Sequence, residues 1–200
     1  DSGNTKKDTV QGILDLAGGG GAWEHIGTTD ASNVANIDFD SGTYTYSMAD
    51  YTAVVFYFVM VYGNTASQKL QLDLSTDDGS NYLDNFDQGA HSVDRDGDIE
   101  VSGPTGDFAE LTPTVLNSGA GAVNYSVCGS LYWPSHQSAA TRAMSGQWNI
   151  TFGDASDPQR VTGFFYTADA VDSGGIDAFR FFMTSGNITG RISMYGIKDS

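Results

Sequence analysis

Cysteine occurs once in this chain, at Cys128, so no intrachain disulfide can brace the fold. Glutamate is nearly missing: three of the 25 acidic residues are Glu, which leaves 22 Asp. Glu suits helix interiors, whereas Asp competes for backbone hydrogen bonds and prefers turns and caps. Basic residues are few and scattered, nine Lys and Arg in all, and the net charge is −16. A phosphate backbone needs clustered cations, so the balance argues against nucleic acid and, on the same ground, against an anionic membrane surface. The longest apolar run, Ala53–Tyr62, has ten residues. A membrane-spanning helix needs about 20. Only three His are present, His25, His91 and His136, too far apart for the short spacing of a zinc site. No G-x-S-x-G nucleophile elbow occurs, and no spacing singles out a pair of catalytic carboxylates. The expectation is a protein that is not an enzyme.

What is abundant points to strands and turns. There are 25 Gly, ten Tyr, eleven Phe and three Trp. Aromatic residues suit pleated surfaces, and Gly with Asp supplies tight connections. Leu70-Gln71-Leu72-Asp73-Leu74-Ser75 alternates cleanly, with three Leu on one face. Thr52–Tyr62 is apolar on both faces and reads as a central strand of a packed sheet. Val123, Tyr125, Val127, Leu131 and Trp133 share a face of a strand expected over Ala122–Trp133, which sets Cys128 on the opposite side. Near the end, Phe179, Phe181 and Met183 recur every second residue, as do Ile188, Ile192 and Met194. Ser185-Gly186-Asn187 lies between them, so the segment reads as a closing hairpin. Further strands are expected at Trp23–Thr28, Ala35–Phe39, Gly146–Phe152 and Arg160–Thr167. Nine short strands with no helical pattern between them predict an all-β fold, a jelly-roll-like antiparallel β-sandwich over residues 22–200.

Two segments stand outside that pattern. Residues 1–21 form an N-terminal arm, with Val10, Ile13 and Leu14 on one face of a short capped helix and a joint at Gly18–Gly21. Those three side chains are candidate partner contacts; the plainer reading is a frayed terminus. Residues 84–117 have weak periodicity and read as an excursion from the sandwich, with short strands near Ile99–Val101 and Phe108–Leu111. Asp94, Asp96 and Asp98 in that excursion alternate around Gly97 and could aim hard oxygens at Ca²⁺. The spacing matches an EF-hand loop only in part. Asp77-Asp78-Gly79-Ser80 is a hairpin turn signal. Tyr132 and Trp133 could form an aromatic platform for a sugar ring, although Trp133 also continues the buried face of its strand.

The order of segments resembles a group of tailed-bacteriophage virion proteins with a jelly-roll or β-sandwich domain. The resemblance rests on GAWEHIGTTDASNVANIDFD (Gly21–Asp40), YTAVVFYFVMVY (Tyr51–Tyr62), KLQLDLSTDDGSNYLD (Lys69–Asp84), YSVCGSLYWPS (Tyr125–Ser135) and FRFFMTSGNITGRISMYGIK (Phe179–Lys198). It implies a structural module on the surface of a phage head or tail: a capsid decoration (cement) protein or compact appendage. The implied partners are capsid or tail proteins of the same virion and further copies of the chain, often as trimers. Residues 84–117 match nothing in that family, and no long fibrous region is present. A carbohydrate-binding module of a tail fibre, reading a host receptor, is the alternative.

Overall fold

The computed structural model describes residues 23–65, 67–84, 86–93, 96, 99–102, 105–112, 126–134, 144–153, 159–167 and 175–198. Thirteen strands run in chain order through it. They are β1 (Trp23–Val34), β2 (Asn36–Phe39), β3 (Ala53–Gly63), β4 (Leu70–Ser75), β5 (Phe86–Val93), β6 (Ile99–Ser102) and β7 (Thr105–Gly106), then β8 (Ala109–Glu110), β9 (Val127–Pro134), β10 (Met144–Phe152), β11 (Gln159–Thr167), β12 (Ala178–Met183) and β13 (Ile188–Ile197). The one helical element among the described residues is a 3-10 turn at Met48–Asp50, where the Ser47 hydroxyl accepts from the Ala49 N–H.

The strands form two antiparallel sheets packed face to face, a β-sandwich. The large sheet runs β1-β13-β3-β9-β10-β11-β5-β6, with β7 also on β5; the small sheet runs β2-β12-β4-β8. Four pairings nest inside one another: β1 with β13, β2 with β12, β3 with β9, and β4 with β8. The chain thus behaves as one long ribbon, doubled on itself and rolled so that successive pairs fall in alternate sheets. The two remaining contributions, β5 to β7 and β10 with β11, meet along the β11–β5 pairing and widen the large sheet on the β9 side.

Each expected strand is represented among the described residues; the start of the one expected over Ala122–Trp133, with Val123 and Tyr125, lies outside them, and β1 is six residues longer than its apolar pattern marks. Three connections differ from expectation. The closing segment is not a hairpin: β12 lies in the small sheet, β13 in the large one, and the turn carries the chain across the end of the sandwich. Gly186 takes φ 72° there, and Asn64 clasps the turn, its side chain accepting from the Asn187 N–H at 2.8 Å. Asp78 and Gly79 both take positive φ in a tight turn, yet the chain returns only to Leu83, whose N–H bonds the Leu74 carbonyl, before crossing to β5. Within the expected excursion, β5 is an interior strand of the large sheet, flanked by β11 and β6. Its inward residues are Phe86, Gln88, Ala90 and Ser92, a polar and small-residue mixture that hides the two-residue period. The short strands expected near Ile99 and Ala109 are present as β6 and β8.

The core is built on aromatic rings. Phe56 of β3 meets Phe179 and Phe181 of β12 at 4.8 and 5.1 Å between centroids, and Phe58 meets Phe181 at 5.3 Å. Phe39 closes the group from β2, 5.3 Å from Phe56. The contacts continue from Phe179 to Trp133, then by stacking at 5.6 Å to Phe165, and on to Trp148. One train of rings therefore links the sandwich to the added strands. Glycine makes room for it: a Cβ at Gly163 would lie 2.3 Å from the Trp148 ring. Tyr46 ties the strand ends outside this core, its hydroxyl lying 2.8 Å from the Phe39 carbonyl and 2.7 Å from that of Asp177.

Two substitutions test this packing. Phe181→Ala should lower unfolding free energy by about 3–5 kcal/mol. Gly163→Ala normally helps by restricting the unfolded chain, but here it should cost about 1–3 kcal/mol because Trp148 has nowhere to move. Urea unfolding followed by Trp fluorescence measures both; a neutral Gly163→Ala would refute the packing described.

Candidate binding surface

Register decides which residues meet on the outer face of the large sheet. One row across five strands is Tyr195, Val55, Tyr132, Gln147 and Phe164. The next is Ser193, Tyr57, Ser130, Asn149 and Thr162. On β13, β3 and β9 the large and small side chains alternate between rows: Tyr195 before Ser193, Val55 beside Tyr57, Tyr132 before Ser130. The result is a checkerboard of ring and hollow. Tyr57 stands edge-on to Tyr195 at 5.7 Å, and Trp23 and His25 approach the same ring from β1. Tyr132 and Tyr57 are each 42 % exposed and Phe164 is 51 % exposed. Every large apolar side chain that is exposed among the described residues lies on a strand of this sheet.

β3 is central, between β13 and β9, as its apolar run leads one to expect, and its two faces differ. Val54, Phe56 and Phe58 point into the core, while Tyr57 and Val59 face outward and exposed. On that second face Tyr57 and Val59 meet solvent, whereas Ala53 and Val55 stay covered.

Charge is divided unevenly between the two sides. The described outer face of the large sheet carries Asp30, bonded to Arg191 at 2.6 and 3.0 Å, together with Asp87 and Arg160. Two carboxylates and two guanidiniums sum to zero. The outer face of the small sheet is acidic. Arg180 there donates to Asp38 at 2.7 and 3.3 Å and lies over the Tyr82 ring at 4.1 Å. Asp73 is opposite Arg180 on the other flanking strand, near Asp84 and Asp107, and Lys69 pairs with Glu110 at 2.8 Å. At one end of the sandwich Asp78 accepts from the Ser41 N–H, and Asp177 accepts from the Asp78 N–H.

Asp73 is the most perturbed carboxyl on that acidic side. Burial pushes it up to about 7; the Leu74 N–H and Arg180 pull the other way, and Asp84 and Asp107 add to the rise. Arg180 gives both its bonds to Asp38, so Asp73 gains only the longer-range attraction. Asp177 is raised for the same leading reason, burial. Asp77 is lowered instead, chiefly by the Asn81 side chain that donates to it.

The candidates raised by sequence fall as follows. Trp133 is 1 % exposed, stacked on Phe165, so it cannot share a sugar platform with Tyr132. Burial on the inner face of β9 removes it, and Tyr132 alone of the pair meets solvent. Asp96 sits exposed in a turn, while Asp94 and Asp98 lie outside the described residues. No group of three or more His, Cys, Asp or Glu is placed to hold a metal among the described residues. His25 bonds the Thr28 hydroxyl, His91 is on β5 with five strands between, and His136 lies outside the described residues. Cys128 lies on the side opposite Val127, as expected, and its sulfur accepts from the Met60 N–H at 3.4 Å. The arm contacts Val10, Ile13 and Leu14 also lie outside the described residues. No protein-family model, curated protein or solved structure matches the chain.

Stability should respond to Asp73 in a defined pH window. Its carboxyl holds its proton more tightly folded than unfolded, so the penalty is absent below about pH 4, grows as pH rises, and is complete above about pH 7. Asp73→Asn keeps an acceptor for Leu74 and removes the charge. Its melting temperature should exceed the parent's at pH 8, with the gap closing by pH 4. Thermal melts across that range measure it; a gap that widens toward acid refutes the assignment.

Proposed function

We propose that this chain is a non-enzymatic structural protein of a bacteriophage virion, a capsid decoration protein or compact head or tail appendage that binds neighbouring capsid or tail subunits. The observation that carries the reading is the outer face of the large sheet, where exposed rings alternate with hydroxyl and amide side chains and the charges cancel. Such a face suits burial against another protein, because it offers apolar area without uncompensated charge to desolvate. The nested strand pairings support the same reading. We interpret them as a jelly roll, two Greek keys of eight strands, an architecture used in viral capsid and lectin domains. The segments that resemble virion proteins include β3, β4 and the β12–β13 crossing, which are the walls of the roll.

The lectin reading has one observation in its favour: exposed Tyr132 and Phe164 flank Gln147, giving ring faces beside an amide. A glycan array with Tyr132→Ala as control addresses it, and binding lost in that variant would favour a receptor-binding module.

Purified particles test the structural reading. An antibody to the chain should decorate virions at regular positions on the head or tail. Quantitative mass spectrometry of those particles should give a copy number set by head or tail symmetry. A chain absent from purified particles would remove the proposal.

A further inference from the structure

We propose that the outer face of the large sheet docks a second copy of this chain, sheet against sheet. The inference rests on the reading of that face as a protein-binding surface and names its occupant. Three observations favour a copy over an unrelated partner.

The first is charge. Each chain carries −16, so two copies repel wherever acidic surfaces meet. The small-sheet side concentrates Asp38, Asp73, Asp84 and Asp107. On the outer face of the large sheet, Asp30 and Asp87 are balanced by Arg160 and Arg191. Copies can approach there without opposing like charges across the contact.

The second is relief. Tyr195, Tyr57 and Tyr132 stand at alternate corners, and Ser193 and Ser130 leave hollows between them. A checkerboard is complementary to its own image: a half-turn about an axis normal to the strands, followed by a shift of one position, sets rings over hollows. A two-fold contact requires that kind of self-complementarity.

The third is extent. Seven strands spaced at about 4.8 Å, over six or seven residues of about 3.3 Å each, span roughly 30 by 20 Å. That is roughly 600 Å² before side-chain relief is counted, the scale of the roughly 800 Å² per partner in a standard interface. Two faces of this kind can pack at about 10 Å, as sheets do inside a sandwich.

Sedimentation velocity on the full chain tests the proposal. At 0.5 M NaCl, which shortens the reach of the −16 repulsion, a species of twice the 21.2 kDa chain mass should form reversibly with concentration. Lowering the salt to 0.05 M should weaken it. Tyr57→Asp and, separately, Asn149→Arg should each raise the dissociation constant by about 30-fold or more, the effect of losing an interface hot spot. Circular dichroism should be unchanged in both, and the second variant guards against a local folding defect in the first. A strict monomer at about 100 μM and high salt would overturn the inference. So would a dimer indifferent to both substitutions, a dimer strengthened by low salt, or a trimer. A monomer that still decorates phage particles would discard the second copy and leave the virion reading intact.

Discussion

The contact on which the fold depends is the set of rings held between the two sheets. Phe39 and Phe181 come from the small sheet, Phe56 and Phe58 from the large one, and each ring touches at least one from the opposite layer. Strand pairing alone joins neighbours within a layer. Only side chains facing across the gap hold the layers together, and here rings with their large buried area do most of that. Trp133 and Phe165 extend the same contact sideways, so the added strands share the core rather than forming a second one.

From that core the asymmetry of the molecule follows. The small sheet has four strands and the large one nine. The larger sheet consequently offers the broader outer side, and the exposed aromatic residues Trp23, Tyr57, Tyr132 and Phe164 lie on its strands. The smaller sheet and the adjoining loops take the acids. Partition of this kind lets a strongly acidic chain remain dispersed while keeping one side suited to contact.

Much of this was legible in sequence, and the failures share a cause. Period-two patterns located the strands because the core face takes an apolar residue at every second position, as in Leu70, Leu72 and Leu74. Those patterns carry no record of which sheet a strand joins. Thr184 to Asn187 reads the same whether the chain turns back beside itself or crosses to the opposite layer. β5 went unseen because Gln88 and Ser92 occupy inward positions where the pattern requires apolar residues. The exposed aromatic rows could not be read at all in one dimension. Tyr195, Tyr57 and Tyr132 are separated by up to 138 positions and become neighbours only through register (195 − 57 = 138). The signal that was available, the apolar second face of Thr52–Tyr62, fits a covered strand and a sticky one equally well.

The position of β13 has a kinetic consequence. It lies between β1 and β3, so the latest strand in the chain fills the gap between two of the earliest. Thr28 and Ser193, bonded through their hydroxyls, are 165 residues apart. Closing loops of that length before their contacts can compensate makes for slow folding, in the range of milliseconds to seconds or beyond. Until β13 arrives, β1 and β3 each present a bare edge to whatever strand is nearby. Exposure to misassembly is therefore greatest while that gap stands open.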